Sequence, residues 1–536
     1  MRVLLVDMPF DNLERPALGL SLLKARLLED GVECGILYAN AILAAAISVE
    51  AYTTIADESP TRSLAGEWVF REDVFGPDPA TDEDFVRQVL AGMPQEYVAC
   101  LRHARAAVPA FLDGLLSSVA WGDVDVVGFT SSGDQNLAAM GLARRLKERR
   151  PHLVIVAGGP NWHGPMGVTQ LEVFPFVDIA FLGEGEDALP AVVGALARGE
   201  DPAGVPGVAV RNAAGQADHG AAFVPDLDAV PTPDFGDYFE AMSVWGLDGE
   251  VECGICLEAS RGCGWAAHRP CSFCGLSGPV RSYRQKEPAR VLKELREASL
   301  RWPGRDIDLV DNMVPPRFLT EVLPELARAP LGGRLFFEAR ADLSREDVET
   351  IAAAGARLQV GIESLSDHVL RLMGKGLTVR RVLRLLDDCR ECRIDPAWNI
   401  LLGVPGETDD DYREMIELVP SLRHLSPPQV CAPLTLVRFS PLFESHATLG
   451  YRNVRPSRAY RLMYPVAERL LWGLASAFDH DEDLPLRTRA YRYRLRAEVR
   501  RWQASGSPAP HGARARASAS HAAAAPLPGQ GVLPPA

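Results

Sequence analysis

The chain opens on an apolar run, Val3–Val6, takes up helical periodicity over Leu18–Glu29 and returns to strand character at Val32–Tyr38. Asp125–Thr130 reads as a buried strand that ends in small polar residues. Leu137–Arg149 is an amphipathic helix, and Leu153–Gly159 is a second buried strand stopped by glycines. Val177–Leu182 follows, then Gly183-Glu184-Gly185-Glu186, then a helix over Ala188–Ala197. Repeated strand–helix units predict an α/β fold with a parallel, doubly wound sheet. Residues 50–120 break the alternation and read as a mainly helical insertion, and no short internal repeat is visible. Residues 201–245, rich in Pro, Gly and Asp, read as a linker.

A second alternating pattern begins at Cys253. Its strands are expected at Ile307–Val310, Leu335–Ala339, Leu358–Gly361 and Trp398–Gly403, with helices such as Val369–Met373 and Val379–Cys392 between them. This suits a full or partial (β/α) barrel, whose ligands sit at the C-terminal ends of the strands. After about Pro441 the pattern becomes more helical. Residues 506–536 are dominated by Ala, Pro, Gly, Ser and His, cannot bury a core and are expected to be disordered.

At 536 residues the chain exceeds a single core. Its 47% hydrophobic and 24% charged residues mark it as globular. A net charge of -15 argues against nucleic acid as the main partner, since phosphate binding needs a basic footprint. The apolar run Ala41–Ser48 is too short to span a bilayer, and the first residues read as a strand rather than a signal peptide, so no membrane role and a cytoplasmic location are expected.

Five of the ten cysteines fall between Cys253 and Cys274, which points to a metal site rather than a disulfide framework. Two ligand sets compete. Cys253 and Cys256 with Cys271 and Cys274 make paired C-x2-C knuckles suited to structural zinc. Cys263, Cys271 and Cys274 instead make a three-thiolate set, which on a four-iron cluster leaves one iron open.

Ser260-Arg261-Gly262-Cys263 and Pro270-Cys271-Ser272-Phe273-Cys274 resemble the cluster loop of radical S-adenosylmethionine (radical SAM) enzymes, although the spacing here is C-x7-C-x2-C where that superfamily has C-x3-C-x2-C. Glu338-Ala339-Arg340, Gly361-Ile362-Glu363-Ser364-Leu365, Leu372–Gly376 and Gly403–Thr408 resemble strand-end segments of the same barrels. The resemblance implies a 4Fe-4S cluster on Cys263, Cys271 and Cys274, and S-adenosylmethionine contacts from Phe273, Glu338, Arg340, Glu363 and Ser364. Upstream, Thr130-Ser131-Ser132, Gly158-Gly159, Asn161 and Glu184-Gly185 resemble the cobalamin-binding domain attached to many of these enzymes. Small residues there leave a slot for the nucleotide tail of cobalamin. The Asp-x-His-x-x-Gly lower-ligand motif is absent from the early strand–loop positions, and His163 is expected to be structural. No Gly-x-Gly-x-x-Gly opens the first helix, which disfavours a dinucleotide.

Gly262-Cys263-Gly264-Trp265, Asp311-Asn312, Trp398-Asn399, His424–Pro428 and Arg438–Pro441 together look like the radical SAM C-methyltransferases of ribosomal peptide natural product (RiPP) maturation, with Gly264 where that family often has a second Trp. The implied organisation is a Rossmann-like cobalamin-binding domain over residues 1–200 with the insertion at about 50–120, a linker at 201–245, a radical SAM partial barrel at 246–440, a helical C-terminal region at 441–505 and a tail at 506–536. The implied activity is cobalamin-dependent methylation of an unactivated carbon in a precursor peptide, fed by an electron donor such as flavodoxin or ferredoxin. The alternatives are a non-methylating outcome, cyclisation or epimerisation, and a zinc-stabilised peptide-binding protein without catalysis. Finally, Arg487–Arg496 is a basic, aromatic stretch that fits one helix and reads as a solvated face or as a dock for an acidic peptide.

Overall fold

The computed structural model describes residues 1–60, 62–211, 220–276, 278, 282–481 and 485–505. The first sheet holds β1 (Arg2–Asp7), β2 (Glu33–Tyr38), β3 (Val126–Thr130), β4 (Val154–Gly158), β5 (Ile179–Phe181) and β6 (Val208–Val210) in the order β2-β1-β3-β4-β5-β6. Neighbours are parallel except β5 and β6. Strand order reverses at β1, and in open α/β sheets a crevice forms beyond the strand ends at such a point. The expected helical insertion is present as Val49–Glu58, Ala65–Phe75, Pro79–Gln88 and Gln95–Ser118.

The described parts of the stretch read as a linker, 201–211 and 220–245, are built into this domain. β6 extends the sheet as an antiparallel edge, and the helix Gly236–Val244 docks on the opposite edge, where Asp237 accepts from the Ile36 N–H at 2.7 Å and from Lys24 Nζ at 2.6 Å. Val208-Ala209-Val210 is too short to stand out against its Pro- and Gly-rich flanks.

The second unit begins with β7 (Ile255–Leu257). β8 (Ser260–Arg261) and β9 (Arg284–Gln285) pair antiparallel and hold the cysteine loop between them. β10 (Ile307–Leu309), β11 (Leu335–Arg340) and β12 (Arg357–Gly361) continue in parallel from β7. β13 (Asn399–Leu402) and β14 (Val430–Pro433) are also parallel, and bridges from Gln359 to Ala397 and from Glu363 to Ile400 join them to β12. Six parallel strands thus run β7-β10-β11-β12-β13-β14 around a core of Ile255, Phe337, Val360 and Trp398.

The region after Pro441 is not purely helical. β15 (Leu436–Val437), β16 (Arg452–Pro456) and β17 (Ala477–Asp481) form an antiparallel sheet in the order β15-β17-β16. Its Phe478, with Tyr460, Met463 and Tyr464, packs into the core of the first domain, so the chain folds back across both units. These strands are short and polar at the edge, which hides their period. The helix Leu486–Ala504 then returns to the barrel and buries Leu495, Val499 and Trp502 there. The expected disordered tail, 506–536, lies outside the described residues. Among the described residues no single helix is long and apolar enough to cross a membrane, and most of the Ala41–Ser48 run lies in the buried helix Ala39–Ile47.

Candidate active site

The cysteine loop is pinned to the barrel from several sides. The Trp265 indole N–H donates to the Gly374 carbonyl at 3.0 Å, with the Arg340 guanidinium 3.9 Å above its ring. The Ser272 N–H donates to the Met373 carbonyl, and the Ser272 carbonyl accepts from the Leu442 N–H, both at 2.9 Å. Gly275 lies so close to the Arg438 carbonyl that no Cβ fits between them.

Cys263, Cys271 and Cys274 are all partly exposed in this loop, whereas Cys253 and Cys256 are buried in the core. Cys263 acts electrostatically on Cys271, and both act on Cys274, so the three thiols lie near one another. Burial pushes the Cys271 thiol up, and Lys375 works against it. Among the described residues no three His, Cys, Asp or Glu side chains close around a single ion. Three spaced thiolates suit a cluster in which each binds its own iron better than one tetrahedral zinc. Cys253 is hydrogen-bonded with the Tyr238 side chain and sits near Arg305 and Asp248, and the charges around Cys256 are Asp308, Arg15 and Asp11. The paired-knuckle zinc site is therefore not assembled.

Opposite the loop stand the strand ends of β11 and β12. Along β11, Leu335, Phe337 and Ala339 are buried while Phe336, Glu338 and Arg340 are half-buried, the alternation of a strand with one open face. Arg340 donates to the Lys375 carbonyl at 3.1 Å. Glu363, just past β12, has φ 72°, and its Oε1 lies 3.7 Å from Lys375 Nζ. Burial raises both Glu338 and Glu363 above the usual carboxylate range, and Lys375 draws Glu363 back. Lys375 Nζ is also 5.9 Å from the Phe273 ring centroid. Phe273, Glu338, Arg340 and Glu363 thus share one face with the cysteines. Ser364 does not, since it is buried with its Oγ 3.8 Å from Met415 Sδ. Lys375 is the participant that the sequence motif contained without revealing, because its partner depends on how β12 ends.

A cleft of about 720 Å³ lies between this unit and the strand ends of the first sheet. Thr130, Ser132, Gly158, Gly159, Glu184 and Gly185 line it. Ser131 and Asn161 stand behind it, with Asn161 Nδ2 donating to Ser131 Oγ at 2.9 Å. Gly159 has φ 91°, and a Cβ there would fall 2.8 Å from the Ser131 carbonyl oxygen. Glycine here lets two strand-end loops touch. A slot bordered by small residues fits a flat, amide-rimmed group such as a corrin in its donor chemistry and in its lack of bulk. His163 is held between Phe223 and Phe439, with ring centroids 6.2 and 6.0 Å away, and burial lowers its pKa.

An arginine closes the far wall. Arg261 reaches Glu186 at 2.6 Å, Glu258 at 2.8 Å and Glu184 at 3.2 Å, tying both domains together. Arg284 binds Glu184 through two nitrogens at 2.8 Å. Burial pushes Glu184 up, but Arg284, Arg261 and the Val224 N–H outweigh it and hold the carboxyl below its usual range. Glu184 is thus occupied by protein cations.

A parallel barrel with a three-thiolate loop at its strand ends, facing a doubly wound sheet across a cleft, defines a cofactor-dependent enzyme architecture. Residues 257–419 match the radical SAM superfamily, and this part of the chain is a radical SAM domain. An uncharacterized methyltransferase of Pyrococcus horikoshii is 23% identical over 326 residues, 58% of this chain and 69% of that protein. A tRNA-2-methylthio-N(6)-dimethylallyladenosine synthase of Nitratidesulfovibrio vulgaris is 28% identical over 225 residues, 39% of this chain and 48% of its own length. The chain therefore spans 69% of the first of these relatives and about half of the second. Among solved structures, TsrM from Kitasatospora setae, with cobalamin and a [4Fe-4S] cluster bound, has a TM-score of 0.59 at 17% identity, covering 98% of this chain and 94% of its own. The cobalamin-dependent enzyme OxsB, with aqua-cobalamin and S-adenosylmethionine bound, has a TM-score of 0.60 at 15% identity, covering 92% of this chain and 66% of its own. These likenesses establish a shared fold.

Proposed function

We propose that the protein is a cobalamin-dependent radical SAM methyltransferase that methylates an unactivated carbon of a ribosomally made precursor peptide. The observation that carries this reading is the convergence of Cys263, Cys271 and Cys274 with Glu338, Arg340, Glu363 and Lys375 on one face, across from a cleft lined by Thr130, Ser132, Gly158 and Gly159. When bound, a 4Fe-4S cluster, S-adenosylmethionine and cobalamin supply the reductive cleavage, the hydrogen abstraction and the methyl donor. The chain's own task is to bind, align and shield.

In this reading Cys263, Cys271 and Cys274 would hold the cluster through their thiolates. Arg340 offers its guanidinium to a carboxylate, and Glu338 and Glu363 accept from amino and ribose groups. The positive charge of Lys375 favours ionised Glu363 and thiolate at Cys271. Ser132, Gly158 and Gly159 leave room for the corrin, and the Arg261 hub fixes the distance between the two cofactor sites. A peptide substrate is supported by the RiPP-like motifs from Gly262 to Trp265 and from Arg438 to Pro441.

Anaerobic reconstitution tests the proposal. The protein should hold iron and sulfide in equal amounts together with cobalamin, and a chemical reductant should release 5′-deoxyadenosine from S-adenosylmethionine. Coexpression with precursor peptides encoded beside the gene should add one methyl group to one of them. Zinc in place of iron, or no 5′-deoxyadenosine, overturns the assignment.

A further inference from the structure

A second groove, of about 530 Å³, runs between the helical insertion and the C-terminal sheet. Arg62 and Ser63 line one wall, Leu436 another, and Arg455, Ser457 and Arg458 the third. Ser63 is 5% exposed, and its Oγ has no hydrogen-bond partner. The Ser457 Oγ is buried and equally unpartnered. Buried hydroxyls are ordinarily satisfied, so two orphans along one groove point to a ligand acceptor.

The charges agree. Three arginines face one carboxylate, Asp479, in a chain whose net charge is -15. Arg455 is paired with Asp481 at 2.9 Å, and Asp479 accepts from the Arg458 backbone N–H at 2.8 Å. Among the described residues the side chains of Arg62 and Arg458 have no carboxylate within ion-pairing distance. Guanidinium forks and serine hydroxyls are all donors that suit carboxylates.

The groove is joined to the candidate active site by one short run of chain. Its wall begins directly after β14, at the strand-end face of the barrel, and Leu436 precedes Val437 and Arg438, whose carbonyl presses on Gly275 beside Cys274. We propose that this groove holds an acidic stretch of the substrate polypeptide while the target residue reaches the barrel. The proposal rests on a peptide being the substrate, but docking itself needs no cofactor.

Fluorescence anisotropy on the full chain tests it, with a labelled synthetic peptide of repeating Glu-Gly as probe and repeating Lys-Gly of equal length as control. The Glu-Gly peptide should bind and the control should not. Arg62→Gln combined with Arg458→Gln should weaken binding at least about tenfold, and added salt should weaken the wild type more than the variant. Ser63→Ala removes a hydroxyl that has no partner, so it should fold normally and still weaken binding several-fold. Peptide-free cleavage of S-adenosylmethionine should be unchanged in all of them. No binding of the Glu-Gly peptide, undiminished binding in the folded variants, or loss of binding only when Arg489 and Arg496 of the last helix are changed to Gln would overturn the proposal. Intact peptide binding with no S-adenosylmethionine cleavage in the wild type would instead defeat the catalytic reading and leave the groove standing.

Discussion

Lys375 Nζ and Glu363 Oε1 face each other at 3.7 Å across the barrel mouth, with Lys375 only 7% exposed. Burial pushes Glu363 up and the ammonium pulls it part of the way back, beside the cysteine loop. Lys375→Met removes that pull. S-adenosylmethionine cleavage should fall about tenfold or more, while iron content stays at the wild-type level. The two readouts, 5′-deoxyadenosine and iron, separate this effect from collapse of the loop.

Cys271→Ala should abolish both the iron–sulfur absorbance and 5′-deoxyadenosine formation. Cys253→Ala and Cys256→Ala should keep both and lose only about 1 kcal/mol of stability, because these side chains are core packing. Loss of iron in Cys253→Ala would return the site to the paired-knuckle arrangement.

Arg261→Met leaves Glu184, Glu186 and Glu258 facing one another with a main counter-charge removed. Its side chain is 14% exposed and those of its partners 6–18%. Unfolding by urea should show a loss of about 3–5 kcal/mol, reduced in high salt. Arg261→Lys should recover only part of it, since one ammonium cannot reproduce the fork.

Glu67 accepts from the Asn136 N–H at 2.7 Å and the Leu137 N–H at 2.6 Å, at the start of the helix Asn136–Arg149. Burial outweighs these bonds and, with Asp134 adding to it, pushes the carboxyl up to about 8. A raised carboxyl contributes stability that is full below its unfolded value, near 4.5, and is lost as pH rises through about 8. The free energy of unfolding should therefore fall between pH 5 and 8 by at most about 1.4 kcal/mol per pH unit, and the thermal midpoint with it. Glu67→Gln should flatten that slope, and an unchanged slope in the variant would assign the pH dependence to another group.

Local periodicity carried the first domain and most of the barrel. Leu18–Glu29 and Ala188–Ala197 form helices with the expected ends, because each has a continuous apolar stripe. β6 and the sheet of β15, β16 and β17 were hidden. Three residues, or an edge such as Arg452–Pro456 with polar side chains, give a period nothing to act on. The cysteine loop was legible from its motif. Arg261 as a hub was not, since its carboxylates lie 3, 75 and 77 positions away along the chain. The basic stretch after Arg487 does form one helix, but Arg487 and Thr488 hold Asp409 and Arg492 donates to the Tyr412 hydroxyl at 2.9 Å, so part of its charge serves the barrel.

That last helix also sets an order on synthesis. Trp502 lies in the barrel core with its ring centroid 5.8 Å from that of Trp398 and donates its indole N–H to the Leu425 carbonyl at 2.9 Å. A nascent chain emerging from the ribosome presents all six barrel strands before this side chain exists. Until then Trp398 lacks the ring that packs edge-on against it in the folded chain. The barrel core is thus closed by a tryptophan more than two hundred residues beyond Cys274.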